Sequence, residues 1–375
     1  MRAQPRPRGR GAAENPGNRF EGIDLPPDPE WLEHERLTGG QGWERRTEFF
    51  ADDSKSVLSR NDSLDVGFEY SVNPYRGCEH GCSYCYARPS HEYLGFSAGL
   101  DFESRILVKR DAPRLLERAI RAPRWRPQPI LLSGNTDCYQ PVERRLGITR
   151  ACLEVFLHHG HPVELITKNA LVLRDRDLLE RLAARNLVRV TMSITTLDAA
   201  LAAAMEPRAS APRKRLEAVA ALHAAGVPVG VNTAPLIPGL NDHEAPRILE
   251  ACAARGAAWG NYIVVRLSHG LKELFVAWLE RHVPERKDKV LAAIRAMRGG
   301  ELSDTRWRLR MRGEGVRADA LATLFEVTCK RLGLNRTRQE LSTAHFTRDV
   351  PPLHPDRAAG PVQQSLFGER FPEAG

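Results

Sequence analysis

The sequence predicts an α/β fold built on a parallel sheet, and three observations support this prediction. Short apolar, β-branched stretches alternate with amphipathic helical segments along most of the chain. Gly160, Gly226 and Gly256 stand where helices would end, just before the next apolar stretch. Polar residues such as Lys168 directly follow the apolar stretches. This alternation is typical of βαβ units, and six such units fit either a partial or closed barrel or an open, doubly wound sheet.

The predicted strands are short and apolar. One lies near residues 67–72, before the first cysteine, and five more follow it. These five strands cover residues 130–132, 163–166, 188–193, 229–231 and 262–265. The amphipathic stretches among them predict helices over residues 111–122, 143–159, 174–185, 211–225 and 242–255. Because the carboxyl ends of parallel strands share one edge, the polar residues that follow them are expected to meet there.

The pattern changes beyond residue 270. Helices are predicted near residues 271–282, 285–298 and 317–332. Between the second and third of them, residues 306–312 alternate arginine with apolar side chains, which predicts a strand with its four arginines on one face. Such a strand would be either a sheet edge protected by charge or a ladder that contacts phosphates.

Composition divides the chain into four parts. Residues 1–45 and 350–375 are rich in proline, glycine and polar side chains, so we expect a disordered basic N-terminal tail and a disordered C-terminal tail. Residues 46–270 would form the core, and residues 271–349 a helical and strand extension packed on that core.

The net charge of the chain, its apolar runs and its cysteines indicate which partners and which cellular location to expect. The net charge of +8 permits an anionic partner, but five arginines and one glutamate among the first twenty residues supply about half of it. The chain has no run of about 18 apolar residues, and its N-terminus lacks the apolar centre of a secretory signal. The seven cysteines are odd in number and unevenly spread, unlike a disulfide framework. We therefore expect a cytoplasmic protein with no membrane partner.

Three of the cysteines, Cys78, Cys82 and Cys85, stand within eight residues. A structural zinc site needs four ligands and usually shows two paired half-sites, but the chain has no second Cys-x-x-Cys. A redox pair would use Cys82 and Cys85 without needing Cys78. An iron–sulfur cubane normally takes four thiolates, so three would leave one iron open to a substrate or cofactor.

The spacing Cys78-x-x-x-Cys82-x-x-Cys85, with a tyrosine before the last cysteine, resembles the motif of the radical S-adenosylmethionine (radical SAM) enzymes. Residues 71–88, together with segments that include 134–137, 205–208 and 234–242, resemble a bacterial family related to spore photoproduct lyase. The resemblance covers roughly residues 46–335.

This resemblance implies a partial (β/α)6 TIM-like barrel and a [4Fe–4S] cluster held by the three cysteines. It implies that S-adenosylmethionine (SAM) binds at the open iron and is cleaved reductively to a 5′-deoxyadenosyl radical. An electron donor such as flavodoxin or ferredoxin would reduce the cluster. The substrate is not implied, but the relation to the lyase points to DNA or another nucleic acid in a repair-like reaction.

The resemblance also places further residues around SAM. They are Tyr84 and Pro238 near the adenine, Ser133, Gly134 and Asn135 near the methionine amino group, and Lys168 and Ser193 near the carboxylate or ribose. Lys168 suits an anion because its ammonium is a compact charge with three donors, although a salt bridge to Asp137 or Glu143 is the alternative. Cys138 would donate a hydrogen atom to a substrate radical, unless it is only a turn residue.

The C-terminal tail contains Gln-Gln-Ser-Leu-Phe at residues 363–367. This segment resembles the bacterial sliding-clamp binding pentapeptide, with Gln363 first and Leu366 and Phe367 last. Exposed apolar residues in a polar tail suit a groove on a partner. The alternative to a radical SAM enzyme is therefore a non-enzymatic iron–sulfur or zinc protein that binds nucleic acid and is tethered to the clamp.

Overall fold

The computed structural model describes residues 9–20, 46–337 and 340–355. Its strands are β1 (Glu48–Ala51), β2 (Leu58–Arg60), β3 (Tyr70–Val72), β4 (Tyr75–Arg76), β5 (Arg105–Val108), β6 (Ile130–Leu132), β7 (Val163–Thr167), β8 (Val188–Ser193), β9 (Val229–Leu236) and β10 (Gly260–Val264). Its α-helices are α1 (Leu100–Ser104), α2 (Ala112–Arg121), α3 (Glu143–Leu146), α4 (Ile148–His158), α5 (Arg176–Ala183), α6 (Ala199–Met205), α7 (Pro212–Ala224), α8 (Ala245–Ala253), α9 (Leu271–His282), α10 (Lys287–Ala296), α11 (Leu309–Arg312) and α12 (Val316–Leu332).

The main sheet has seven strands in the order β10-β9-β8-β7-β6-β3-β2. Neighbouring strands from β3 and β6 to β10 are parallel, and β2 adds an antiparallel edge on β3. The two edges, β10 and β2, do not pair with each other in the described part of the chain, so the sheet stays open. The predicted α/β fold with six parallel strands in a partial barrel is therefore confirmed. A second sheet, β1-β5-β4, lies outside the predicted elements.

Successive side chains of each strand point to opposite faces of the sheet, one set into the apolar core and the other to the inner face. In β8, Val188, Val190 and Met192 are fully buried in the main apolar cluster. Arg189, Thr191 and Ser193 alternate with them and line cavities on the inner face. The helices bury their apolar sides against the outer face, and Gly160, Gly226 and Gly256 follow α4, α7 and α8 with positive φ, as predicted. The polar ends of the parallel strands are thereby collected around one inner space.

Residues 306–312 do not form the predicted strand. Two of their arginines pair with different partners: Arg306 with Asp304 at 2.7 Å and with Glu314, and Arg310 with Asp65 at 2.5 Å. The Asp304 carboxylate also accepts the Arg306 backbone N–H at 2.8 Å, which favours a turn. The segment therefore turns into α11, and Arg306 and Arg310 point to separate acidic residues, while Arg312 lies over the Tyr262 ring.

Residues 9–20 lie in the segment predicted to be disordered, yet they pack on the core. The backbone N–H groups of Gly11 and Ala12 donate to the buried Glu103 carboxylate at 2.9 and 2.7 Å. At the other end, Leu353 and His354 donate backbone N–H groups to Glu117 at 2.8 and 2.7 Å. Composition does not reveal these anchors, because they depend on carboxylates far away in the sequence. The rest of the predicted tails, including Gln363, Leu366 and Phe367, falls outside the described residues, so the predicted clamp contact stays a prediction.

No helix among the residues described is both long enough and apolar enough to cross a membrane.

His161, between α4 and β7, makes the stability of the fold depend on pH. Its Nδ1–H donates to the Pro162 carbonyl at 2.9 Å, and its Nε2 accepts the Trp125 indole N–H at 3.0 Å, so the buried ring is neutral. Burial lowers the pKa of His161 to about 4. As the pH falls, the unfolded chain takes up this proton first, near its ordinary pKa of about 6.5, so stability falls with pH.

We expect His161 to reduce the free energy of unfolding by about 2 kcal/mol between pH 7 and pH 5, with the loss levelling off near pH 4. Urea unfolding of the wild type and of His161→Gln across this range measures the effect. His91, whose pKa burial also lowers to about 4, contributes equally to both proteins. Equal pH dependence in the two proteins would contradict the prediction.

Candidate functional site

The three clustered cysteines lie together at the carboxyl end of the parallel sheet. Their loop follows β4 and is held to α1 by the Cys78 N–H, which donates to the Phe102 carbonyl at 2.9 Å. Cys78, Cys82 and Cys85 line one cavity of about 460 Å³. All three are free thiols, and Cys78 and Cys82 are buried. This arrangement presents three soft ligands of one loop to a common space.

Arg88 and Glu103 fix the shape of this loop from behind. The fully buried Arg88 pairs with Glu103 at 2.5 Å and donates from Nε to the Cys82 carbonyl at 2.9 Å. Gly81 makes room for the same carboxylate: its φ is +66°, and a Cβ there would lie 2.5 Å from Glu103 Oε2. Because Glu103 also accepts the N–H groups of residues 11 and 12, the N-terminal segment packs against the cysteine loop.

His80 and Asp137 tie the loop to the ends of β6 and β7. The Asp137 carboxylate lies 3.4 Å from His80 Nδ1 and accepts hydrogen bonds from Thr167 Oγ1 at 2.7 Å and the Lys168 N–H at 2.8 Å. Burial alone would raise the pKa of Asp137, but His80 and these donors lower it below its usual value. His80 Nε2 also contacts the Asn169 amide at 3.3 Å, so both ring nitrogens are engaged and neither is free as a fourth ligand.

Glu206 is a site residue to which sequence reasoning assigned no role. Its fully buried carboxylate accepts hydrogen bonds from Tyr84 Oη, from Arg215 and from Thr195 Oγ1, the last at 2.8 Å. It also pairs with the Lys168 ammonium at 3.4 Å. Burial would raise the pKa of Glu206, but the two cations and their hydrogen bonds outweigh burial and lower it to about 2. The available signal was its position in residues 205–208, one of the segments that carry the family resemblance.

The Glu206 carboxylate fixes the position of the Lys168 ammonium. Lys168 Nζ lies 5.6 Å from the Tyr84 ring centroid and donates to the Ala234 carbonyl at 3.3 Å. The side-chain ion pair is with Glu206, whereas the alternative prediction named Asp137 or Glu143. Lys168 therefore presents its charge to the cavity from a fixed position, between the cysteine loop and the end of β9.

The structure brings most of the predicted site residues to this cavity. They are Tyr84, Ser133, Gly134, Asn135, Lys168 and Ser193, together with the three cysteines. Asn135 is positioned by its backbone N–H, which donates to Asn73 Oδ1 at 2.8 Å. The polar groups predicted from separate strands thus share one space, as expected for the carboxyl end of a parallel sheet.

Two predicted site residues are not in the cavity lining. Pro238 is buried, and Pro235, near the end of β9, lines the cavity in its place. Cys138 is fully buried in the main apolar cluster, and its carbonyl accepts the Thr149 hydroxyl at 2.6 Å. Since Asp137 faces the cavity, the next side chain along the turn points into the core. The thiol of Cys138 is therefore not placed to reach a ligand of the cavity.

Comparisons with known proteins agree with this geometry. The family model of the Radical SAM superfamily matches residues 72–252. An uncharacterised protein of Mycobacterium tuberculosis is 36% identical over 234 residues, which cover 62% of this chain and 69% of the relative. The chain belongs to the radical SAM superfamily. An uncharacterised protein of Methanocaldococcus jannaschii is 29% identical to this radical SAM protein over 185 residues, covering 49% of this chain and 66% of the relative.

Solved structures show the same fold. A spore photoproduct lyase variant superposes with a TM-score of 0.55 at 16% identity, covering 84% of this chain and 87% of the lyase chain. Spore photoproduct lyase complexed with dinucleoside spore photoproduct gives a TM-score of 0.55 at 14% identity, with coverage of 76% and 80%. This radical SAM protein is thus related in fold to spore photoproduct lyase.

The radical SAM family implies a [4Fe–4S] cluster and SAM, and the residues of this cavity fit both. The other cysteines of the chain, Cys138, Cys152, Cys252 and Cys329, do not line the cavity. Burial raises the pKa of each of the three lining thiols, so they would stay protonated without a metal, whereas bound iron would hold them as thiolates. Three thiolates and no fourth ligand among the described residues suit a cluster with one open iron.

Proposed function

We propose that this radical SAM protein binds a [4Fe–4S] cluster through Cys78, Cys82 and Cys85 and cleaves SAM to act on a nucleic-acid substrate. When bound, the cluster would supply one electron to the SAM sulfonium, and SAM would supply a 5′-deoxyadenosyl radical. The observation that carries the proposal is the convergence of the three free cysteines and the Lys168 ammonium on one cavity.

The chain's own residues would bind and orient SAM. Lys168, held by Glu206, offers an ammonium to an anionic group such as the SAM carboxylate. Ser193 and Asn135 offer a hydroxyl and an amide from the ends of two other strands. Tyr84, fixed by Glu206, forms part of the wall between the two cysteines of the Cys-x-x-Cys. Their positions on rigid strand ends favour one bound orientation.

Two observations support a nucleic-acid substrate. Spore photoproduct lyase, which shares the fold, has been solved with a dinucleoside photoproduct. In this chain, the cavity lining includes Arg266 and Arg310 together with the aromatic side chains of Phe68 and Tyr86. Guanidinium groups beside aromatic rings suit phosphates and bases. A repair-like reaction on DNA or RNA follows as the proposed chemistry, with flavodoxin or ferredoxin as the electron source.

The proposal is tested with protein reconstituted anaerobically with iron and sulfide. We expect about four iron atoms per chain and, with dithionite and SAM, formation of 5′-deoxyadenosine. Damaged or single-stranded oligonucleotides that serve as substrate should increase its rate, which chromatography of the products measures. Stoichiometric zinc without iron would overturn the proposal and favour the non-enzymatic alternative. An intact cluster that yields no deoxyadenosine would also count against it.

A further inference from the structure

Arg266 follows β10 and is a half-buried cation in the wall of the cysteine cavity. Its Nη1 contacts the Met311 sulfur at 3.6 Å, and its guanidinium lies 5.9 Å from the Tyr86 ring centroid. No carboxylate oxygen of the residues that the structure describes lies within 4.0 Å of this guanidinium. Its surroundings therefore desolvate the charge without neutralising it, which is unfavourable unless an anion joins it.

The other two cations of the cavity lining, unlike Arg266, each pair with a carboxylate. Lys168 pairs with Glu206 at 3.4 Å. Arg310 pairs with Asp65 at 2.5 Å and donates to Ser63 Oγ at 2.6 Å. Because Arg310 occupies the Asp65 carboxylate, Arg266 leaves an excess of positive charge on this side of the cavity.

We propose that Arg266 binds a phosphate group of the substrate. This inference rests on the proposed nucleic-acid function and specifies which part of the substrate the cavity recognises. A guanidinium offers paired N–H donors in a planar fork that matches two phosphate oxygens, and the neighbouring Arg310 adds positive charge. Tyr86 and Phe68 line the same cavity and give an attached base an aromatic wall.

The position of Arg266 next to Tyr86 explains what this contact would do. Tyr86 directly follows the ligand Cys85, and its hydroxyl donates to the Gly134 carbonyl at 2.7 Å. A phosphate on Arg266 would therefore hold the attached sugar and base beside the SAM pocket. The same phosphate chemistry is found in a free nucleotide and in a nucleic-acid strand, so the experiment includes both.

The test uses reconstituted, cluster-loaded protein and three probes: cytidine 5′-monophosphate, cytidine and a single-stranded oligonucleotide. Anaerobic calorimetry measures their affinities for the wild type, Arg266→Gln and Arg266→Lys. We expect Arg266→Gln to weaken the binding of cytidine 5′-monophosphate by about tenfold to a hundredfold, as is typical when a charge-assisted hydrogen bond is lost. The affinity for cytidine should not change. Arg266→Lys should fall between the two, because it keeps the charge but loses the fork.

Arg176→Gln is the matched control. Arg176 lies on α5, its side chain is 57% exposed, and it pairs with Glu180 at 3.1 Å outside the cavity. The same loss of charge there should change none of the three affinities. A phosphate effect with the mononucleotide indicates a free nucleotide as ligand, and an effect confined to the oligonucleotide indicates a strand; either supports the proposal.

The proposal is overturned if the wild type shows no phosphate-dependent binding, or if Arg266→Gln weakens cytidine as much as its phosphate. It is also overturned if Arg266→Gln raises the KM for SAM, since Arg266 would then serve the cofactor carboxylate. SAM cleavage without added substrate is measured in parallel. If the wild type does not cleave SAM, the proposed function is refuted. If it cleaves SAM normally but Arg266→Gln does not weaken binding of the phosphorylated probes, only the role of Arg266 is refuted.

Discussion

Replacing Cys82 by alanine is expected to abolish the iron–sulfur cluster and SAM cleavage together. In the described part of the chain only three cysteines line the cavity, so removing one leaves two thiolates for a cluster that normally takes four ligands. The carbonyl of Cys82 is held by Arg88, so the loop itself should keep its shape. Iron content should fall from about four atoms per chain towards zero, and deoxyadenosine should disappear. Metal analysis and product chromatography measure both.

Cys138→Ala is the matched control for the loss of a thiol. Cys138 is fully buried but outside the cavity lining. Its replacement should cost about 1 kcal/mol of stability and leave iron content and SAM cleavage unchanged. A Cys82→Ala protein with full iron and normal cleavage would contradict the assignment of the cluster ligands. Loss of substrate turnover in Cys138→Ala, with the cluster intact, would instead restore Cys138 as a hydrogen-atom donor.

The parts of the fold that sequence reasoning predicted are those set by local pattern. Helices α7 and α8 lie inside the predicted residues 211–225 and 242–255, because apolar periodicity and Gly226 and Gly256 mark them locally. Several of the predicted cavity residues were found in the same way, because Ser133, Lys168 and Ser193 stand at the end of a parallel strand or directly after it. At Ser193, the alternation of side chains between the two faces of the sheet continues to the end of β8. The direction of this side chain was therefore predictable as well.

The parts that were missed depend on partners distant in the sequence. Residues 306–312 alternate like a strand, but Arg306 pairs with Asp304 and Glu314, and Arg310 pairs with Asp65 from the start of the chain's core. Residues 9–20 look disordered by composition, yet two of their N–H groups are bound by Glu103. Cys138 directly follows the cavity-lining Asp137, but the turn places its side chain in the apolar cluster, which the sequence pattern does not show. The periodicity of apolar residues identifies a helix or a strand. The residue that pairs with a charged side chain or binds a loop backbone is seen only in the three-dimensional structure.

Glu206→Ala is expected to be the most destabilising single change at the site. It would leave Arg215, which is 1% exposed, without the carboxylate that neutralises it. Removing one partner of a buried ion pair typically costs about 3–5 kcal/mol, because the remaining charge stays buried. Glu217→Ala is the control: Glu217 is 43% exposed and pairs with Arg213 and Lys214 on the surface of α7, so its loss should cost less than about 1 kcal/mol.

A double variant separates the charge from the packing. Combining Glu206→Gln with Arg215→Met removes both charges, so its loss of stability should be smaller than the sum of the two single losses. Anaerobic urea unfolding followed by circular dichroism measures the stability of the wild type, of each single variant and of the double variant. Glu206→Gln should also raise the KM for SAM, because Lys168 and Tyr84 lose the carboxylate that fixes them beside the cysteine loop. A Glu206→Ala protein as stable as Glu217→Ala would show that Arg215 finds another partner, and the network would then not position Lys168.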